Sequence, residues 1–142
     1  MRARSPFFLY LGACVVGGMI GAVANSAAVW AAGQYGLAAK ANVAIHPDWT
    51  WEFLKPRILW GGIWGAGFTL FALPLRHRLG LAALIYSLLP SAFQLFYVFP
   101  VLQNKGQMGT ALGQLTPAFV LVANAIYALV MALWVRISVA EK

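Results

Sequence analysis

The chain has 142 residues, of which 62% are hydrophobic and 9% are charged, and its formal net charge is +7. Soluble domains carry about 25% charged residues, so this composition excludes an ordinary soluble globular protein. A basic excess also occurs in nucleic-acid-binding proteins. Here the basic residues form no dense patch, so we expect no nucleic-acid partner.

Charged residues and histidines are missing from four long stretches of the chain. Neither Asp, Glu, Lys, Arg nor His occurs in residues 5–39, 58–75, 79–104 and 106–135. An uncharged apolar run of about 18 residues or more is long enough to cross a bilayer as a helix. The sequence therefore predicts an all-α integral membrane protein, a four-helix transmembrane bundle with up-down topology that is surrounded by lipid.

The predicted spans are residues 6–32, 56–74, 81–101 and 116–135. Four spans of about 20 residues each leave room only for short loops. We therefore predict that residues 1–142 form a single transmembrane domain.

The first predicted span contains the pair Gly17 and Gly21. Glycines four residues apart share one helix face and let a second backbone approach closely. In the loop that follows, Pro47-Asp48 precedes two tryptophans, and an aspartate accepts hydrogen bonds from free backbone N–H groups. We therefore predict a short helix between the first two spans, which lies in the headgroup layer because of its tryptophans.

The second predicted span repeats the glycine spacing at Gly61 and Gly65. We interpret both glycine pairs as helix-packing sites within the bundle, and a dimerisation face is the alternative. The same span carries an aromatic stripe formed by Trp60, Trp64 and Phe68. The stripe lies about 100° round the helix from the glycines, so we expect it to contact lipid.

The third predicted span contains Pro90, which removes a backbone hydrogen bond and should kink the helix. The segment before the fourth span carries polar residues at helical spacing, namely Gln103, Gln107, Thr110 and Gln114. If this segment is helical, those side chains share one face.

Three amides lie within the predicted spans: Asn25, Gln94 and Asn124. At about 1.5 Å per residue, all three fall roughly 3–10 Å outward of the bilayer midplane. An unpaired amide is costly in hydrocarbon, so we expect the three side chains to converge inside the bundle. Either they join the helices as structural contacts, or they form a small polar ligand pocket that opens outward, with Gln114 at its mouth.

The side chains that usually carry chemistry inside membranes are scarce here. No carboxylate lies in a predicted span, which argues against a proton relay or a cation site. His46 and His77 fall on opposite sides of the membrane, about 30 Å apart, so they cannot share a haem iron. We predict no catalytic residue, no metal site and no cofactor.

The leading functional hypothesis is a small non-enzymatic membrane protein that acts through helix packing as an accessory or oligomeric subunit. Its partner is then a second copy of the chain or another membrane protein. The alternative is a transporter or channel for a small neutral or polar solute, which would use the polar pocket in the outer half of the bundle.

Lysine and arginine counts predict the orientation. The two termini and the turn at residues 76–78 carry six of these residues, and the two other loops carry four. Cytoplasmic loops hold the excess of Lys and Arg in membrane proteins. Both termini are therefore predicted to be cytoplasmic, in a protein of the bacterial cytoplasmic membrane.

This orientation can be tested with the single substitutions Arg78→Cys and Gly106→Cys, each in a Cys14→Ala background. In intact cells, we expect an impermeant thiol reagent to label the cysteine at position 106 and to leave the one at position 78 unlabelled. The opposite labelling pattern would invert the orientation.

Overall fold

The computed structural model describes residues 5–140, and its regular structure in that range is entirely helical. The α-helices are α1 Pro6–Gln34, α2 Leu37–Lys40, α3 Trp51–Ala72, α4 Leu79–Tyr86, α5 Leu88–Phe93 and α6 Thr116–Ala140. The remaining helical segments are 3-10 turns at Arg76–Arg78 and Gln107–Leu112, and a π-helical segment at Gln94–Leu102. The predicted all-α class is confirmed.

Three helical stretches are long and apolar enough to cross a membrane, namely Pro6–Gln34, Arg76–Leu102 and Thr116–Ala140. They indicate a multi-pass membrane protein. Helix α3 has 22 residues but is not one of these stretches. Its first two turns hold Glu52 and Arg57 together with a lysine, which lowers its hydropathy. A bundle of four spans therefore stays a prediction.

Helix α1 lies between α3 and α6, and it contacts both through glycines. A Cβ atom on Gly18 would collide with the carbonyl oxygen of Gly61, and a Cβ on Gly65 would collide with the backbone of α1. On its other side, a Cβ on Gly21 would lie 2.6 Å from the carbonyl oxygen of Tyr127. Gly17 faces α6 as well. The four glycines singled out in the sequence thus lie at helix contacts within the chain.

The sequence predicts that the aromatic stripe of α3 contacts lipid. In the structure, other helices cover most of this stripe. Phe68 is fully buried, and its ring centroid lies 5.2 Å from that of Tyr86 on α4. Trp64 packs against Tyr86 and against Phe93 of α5. Only Trp60 keeps half of its surface exposed, at 49%. Helical spacing defines the stripe as one face, but it does not say which neighbour covers that face.

The predicted helix at Pro47-Asp48 is wrong. Residues 43–50 are not helical, and the short helix of this loop is the single turn α2. Helix α3 begins directly at Trp51, because Thr50 caps it: the Thr50 Oγ1 atom accepts a hydrogen bond from the Phe53 N–H at 3.2 Å. The tryptophan-rich segment is therefore partly the first turn of α3, five residues before the predicted start of the second span.

The membrane-length stretch Arg76–Leu102, which contains the third predicted span, is interrupted at Ser87, as Pro90 predicts. Helix α4 ends at Tyr86 and α5 begins at Leu88. A proline ring clashes with the carbonyl group four residues before it, here that of Tyr86, and provides no N–H to bond with it. The break at Ser87 removes that conflict. After α5 the chain widens into the π-helical segment.

The two loops at the outer end of the bundle, by the predicted orientation, are joined to each other. The Ala44 N–H donates to the Leu112 carbonyl at 2.8 Å, and Gly113 packs directly on the backbone of Asn42. The second loop is not one helix, since Met108 and Gly109 have positive φ values of 58° and 70°. The predicted single polar face from residue 103 to residue 114 is therefore wrong.

Helix α1 provides a matched test of the close backbone contact. We expect Gly18→Ala to lower the free energy of unfolding by about 1–3 kcal/mol, because the added methyl group has no room against Gly61. Gly12→Ala lies on the same helix with nothing within 4 Å of the new Cβ. It should be neutral, or stabilise α1 by up to about 1 kcal/mol. Unfolding of the purified protein in mixed detergent measures both, and equal effects would contradict the packing shown here.

Candidate functional site

Polar side chains from four helices meet in the bundle. Asn25 and Ser26 come from α1, Arg57 from α3, Ser91 from α5 and Asn124 from α6. We call these five residues the polar network. Each of its members except Arg57 is buried, with a relative exposure of 9% or less. Because hydrocarbon offers no hydrogen bonds, such groups are stable at this depth only when they bond to one another or to the backbone.

The amide part of the network runs from α1 through α6 to α5. The Asn25 Nδ2 atom donates to the Ala123 carbonyl at 2.8 Å and to the Asn124 Oδ1 atom at 3.2 Å. The Asn124 Nδ2 atom donates in turn to the Ser91 Oγ atom at 3.0 Å. The Ser91 hydroxyl donates a hydrogen bond to the Ser87 carbonyl at 2.7 Å. The hydrogen bond from Ser91 to Ser87 thus connects α5 to the break between α4 and α5.

The cationic part of the network is Arg57. Its Nε atom donates to the Ser26 Oγ atom at 2.8 Å, and its Nη2 atom donates to the Asn25 Oδ1 atom at 2.5 Å. The Ser26 hydroxyl donates a hydrogen bond to the Ala22 carbonyl at 2.7 Å. The guanidinium carbon lies 4.8 Å from the centroid of the Phe53 ring, which is a cation–π distance. Arg57 therefore holds α1 and α3 together and also orients the Asn25 amide.

Sequence reasoning counted Arg57 only as a loop charge. One signal could have singled it out, because it is the only charged residue inside the four predicted spans, near the start of residues 56–74. An ionisable group at the edge of a span needs a polar partner. The partner was available in Asn25, whose depth had already been estimated.

Two of the four candidate pocket residues are brought together and two are not. Asn25 and Asn124 are hydrogen-bonded to each other. Gln94 is partly exposed and makes no side-chain hydrogen bond within residues 5–140, and Gln114 is exposed. Ser91, three residues before Gln94, takes the expected place beside Asn124. The depth argument was sound for Gln94, but depth does not fix the direction in which a side chain points round a helix.

Two open grooves in residues 5–140 are not lined by any residue of the polar network. The larger, of about 580 Å³, lies between α1 and α6 and is lined by Ser5, Phe8, Leu9, Gly12, Ala13, Val16, Trp134 and Ser138. The smaller, of about 370 Å³, lies at the segment between α1 and α3, beside Gly33 and His46. The residues of the network instead form direct hydrogen bonds with one another. In residues 5–140, no three His, Cys, Asp or Glu side chains are placed to hold a metal ion.

Two tyrosines add further hydrogen bonds between the helices. The Tyr127 hydroxyl of α6 donates to the Gly61 carbonyl at 2.8 Å, and the Tyr86 hydroxyl of α4 donates to the Trp64 carbonyl at 2.6 Å. Both acceptors are backbone carbonyls of α3. Helix α3 is thus bonded to α1, α4 and α6 although it is the least apolar of the long helices.

The amide contact can be tested with Asn124→Ala and with Gln94→Ala as its control. Asn124→Ala removes two interhelical hydrogen bonds, so we expect it to lower the free energy of unfolding by about 1–3 kcal/mol. Gln94→Ala removes no such bond and should change that free energy by less than about 0.5 kcal/mol. A loss from Asn124→Ala no larger than that from Gln94→Ala, measured by unfolding in mixed detergent, would show that the amide contact does not stabilise the bundle.

No protein-family model, no curated protein sequence and no solved structure matches this chain. What the protein does is therefore inferred from the geometry and chemistry of its described residues.

Proposed function

We propose that this chain is a small non-enzymatic protein of a bacterial cytoplasmic membrane, which acts through helix packing as an accessory or oligomeric subunit. In this proposal α3 is a fourth span, the chain is one transmembrane domain, and both termini are cytoplasmic. The single observation that carries it is that the members of the polar network use one another as hydrogen-bond partners. Its side chains bond to one another, and they line neither of the two grooves described above.

The groove between α1 and α6 is the surface that we assign to the partner. Its lining is mainly apolar, with Phe8, Val16 and Trp134 on its walls. At Gly12 the backbone of α1 is open, since nothing lies within 4 Å of where a Cβ atom would be. Small residues at a helix surface let the backbone of another transmembrane helix come close. The occupant proposed is such a helix, from a second copy or from another membrane protein.

A substitution that fills the groove tests this assignment. We expect Gly12→Phe to remove the partner while leaving the bundle folded, because the new ring occupies open space between α1 and α6. Val122→Phe is the control: it adds bulk at a position of α6 that is 62% exposed and does not line the groove. It should leave association unchanged.

The measurement is the protein mass of the particle purified from its native membrane in a mild detergent. For the wild type and for Val122→Phe, we expect a mass above the 15.4 kDa of one chain. Gly12→Phe should have the mass of one chain. A wild-type protein that is purely monomeric in native lipid, or an unchanged Gly12→Phe particle, would overturn the accessory role at this groove.

The alternative function is a transporter or channel for a small neutral or polar solute. The observation that favours it is the continuous line of polar side chains from Arg57 through Asn25 and Asn124 to Ser91. Its weakness is that these side chains hydrogen-bond directly to one another and line neither of the two grooves described above. Solute-dependent swelling of vesicles that contain the purified protein would favour transport over the accessory role.

A further inference from the structure

We propose that Arg57, oriented by Asn25 and Ser26, is the centre of a binding site for a phosphate-type oxyanion at the outer end of the bundle. The ligand chemistry is a phosphate group, either in the headgroup of a lipid or as free phosphate. The site does not depend on the accessory role, since it lies on α1 and α3 and the groove lies between α1 and α6.

The first argument is charge. The hydrogen bonds of the guanidinium go to a hydroxyl and an amide, which are neutral. In residues 5–140 the carboxylates are those of Asp48 and Glu52, and both side chains are exposed. A partly buried cation without a counterion has lost hydration that neutral hydrogen bonds restore only in part. An anion bound to Arg57 would supply the missing charge.

The second argument is geometry. A guanidinium presents its N–H donors in a planar fork that matches two oxygens of a phosphate. Within residues 5–140, Arg57 gives one hydrogen bond from Nε and one from Nη2 to the network, which leaves the N–H groups of Nη1 and the second N–H of Nη2 as the fork for a ligand. The buried side-chain atoms without a partner in that range are Thr69 Oγ1 and Thr116 Oγ1. Nη1 is not among them, so it is not fully enclosed by the described residues.

The third argument is depth. Arg57 follows Trp51 by six residues, so it lies about 9 Å further along α3 at 1.5 Å per residue. Trp51 is 62% exposed, and Trp49 packs on Trp30 of α1 with ring centroids 5.8 Å apart. Tryptophans gather at the level of the lipid headgroups. Arg57 therefore lies about two helical turns inward of the tryptophan level, at the depth of Asn25, so the shorter route for an anion to reach it is from the outer end of the bundle.

The remaining features of the site support a fixed position for the guanidinium. Phe53 lies one turn before it, and the guanidinium carbon is over the Phe53 ring. Ser26 and Asn25 hold two of its nitrogens, and Asn25 is itself held by α6. A preorganised donor loses little freedom when a ligand binds, which favours affinity.

The test uses the full chain, stripped of lipid in a neutral maltoside detergent. Four additions are compared by their effect on the midpoint of thermal unfolding: phosphatidylglycerol, a galactolipid that has no phosphate, sodium phosphate, and sodium chloride at equal ionic strength. Bound lipid is counted independently by native mass spectrometry. We expect the midpoint to rise with a phosphate-containing addition and not with the galactolipid or with chloride.

The variants are Arg57→Gln and, as the matched control, Lys55→Gln, which removes the same charge from an exposed position of the same helix. Arg57→Gln should weaken the apparent affinity for the phosphate probe at least about ten-fold. Lys55→Gln should change it by less than about two-fold, as expected for an exposed charge. A response to phosphatidylglycerol alone identifies the lipid as the source, and a response to sodium phosphate identifies the free anion.

Other results would overturn the proposal. They are no response to either phosphate probe, equal affinities of wild type and Arg57→Gln, or an equal loss in both glutamine variants, which would indicate a diffuse charge effect. If Arg57→Gln does not fold, Arg57→Lys replaces it, because lysine keeps the charge but lacks the planar fork. We expect that variant to lose several-fold in affinity, and an unchanged affinity would remove the guanidinium from the site.

Discussion

Close contact between the backbone of α1 and those of α3 and α6 is the constraint on which the remaining structure depends. Gly18 lets α3 approach on one side of α1, and Gly21 lets α6 approach on the other. Asn25 is one turn further along α1, between the same two neighbours. Only because all three backbones are so near can one asparagine side chain bond to both Arg57 and Asn124.

Hydrogen bonds hold α3, the least apolar of the long helices, against its neighbours. Helix α3 carries an arginine near its start, and it receives hydrogen bonds from two tyrosines along its backbone. In lipid there is no hydrophobic force between helices, so dispersion contacts and hydrogen bonds decide which helices associate. The small residues of α1 supply the first kind of contact, and the polar network supplies the second.

The class of the protein and most helix positions could be predicted from the sequence, since they depend on long runs without charge. The start of α6 at Thr116 and the break before Pro90 are local effects of proline. Of the residues that form the polar network, only Asn25 and Asn124 were singled out from the sequence. Ser91 replaces Gln94 because residues three apart point about 60° apart round a helix, and an argument from depth does not say which of them faces α6.

The charged start of α3 has a consequence for how the chain enters the membrane. Centrally placed Lys or Arg costs about 2.5–3.5 kcal/mol in helix insertion, and less near an end, so a helix of this composition gains little from entering lipid alone. Beside α1, however, Arg57 finds the hydroxyl of Ser26 and the amide of Asn25. The earlier-synthesised α1 thus provides the polar groups that α3 needs. In the proposed four-span arrangement, the two helices are suited to integrate as a hairpin, with α1 serving as an internal guide for the segment that follows it.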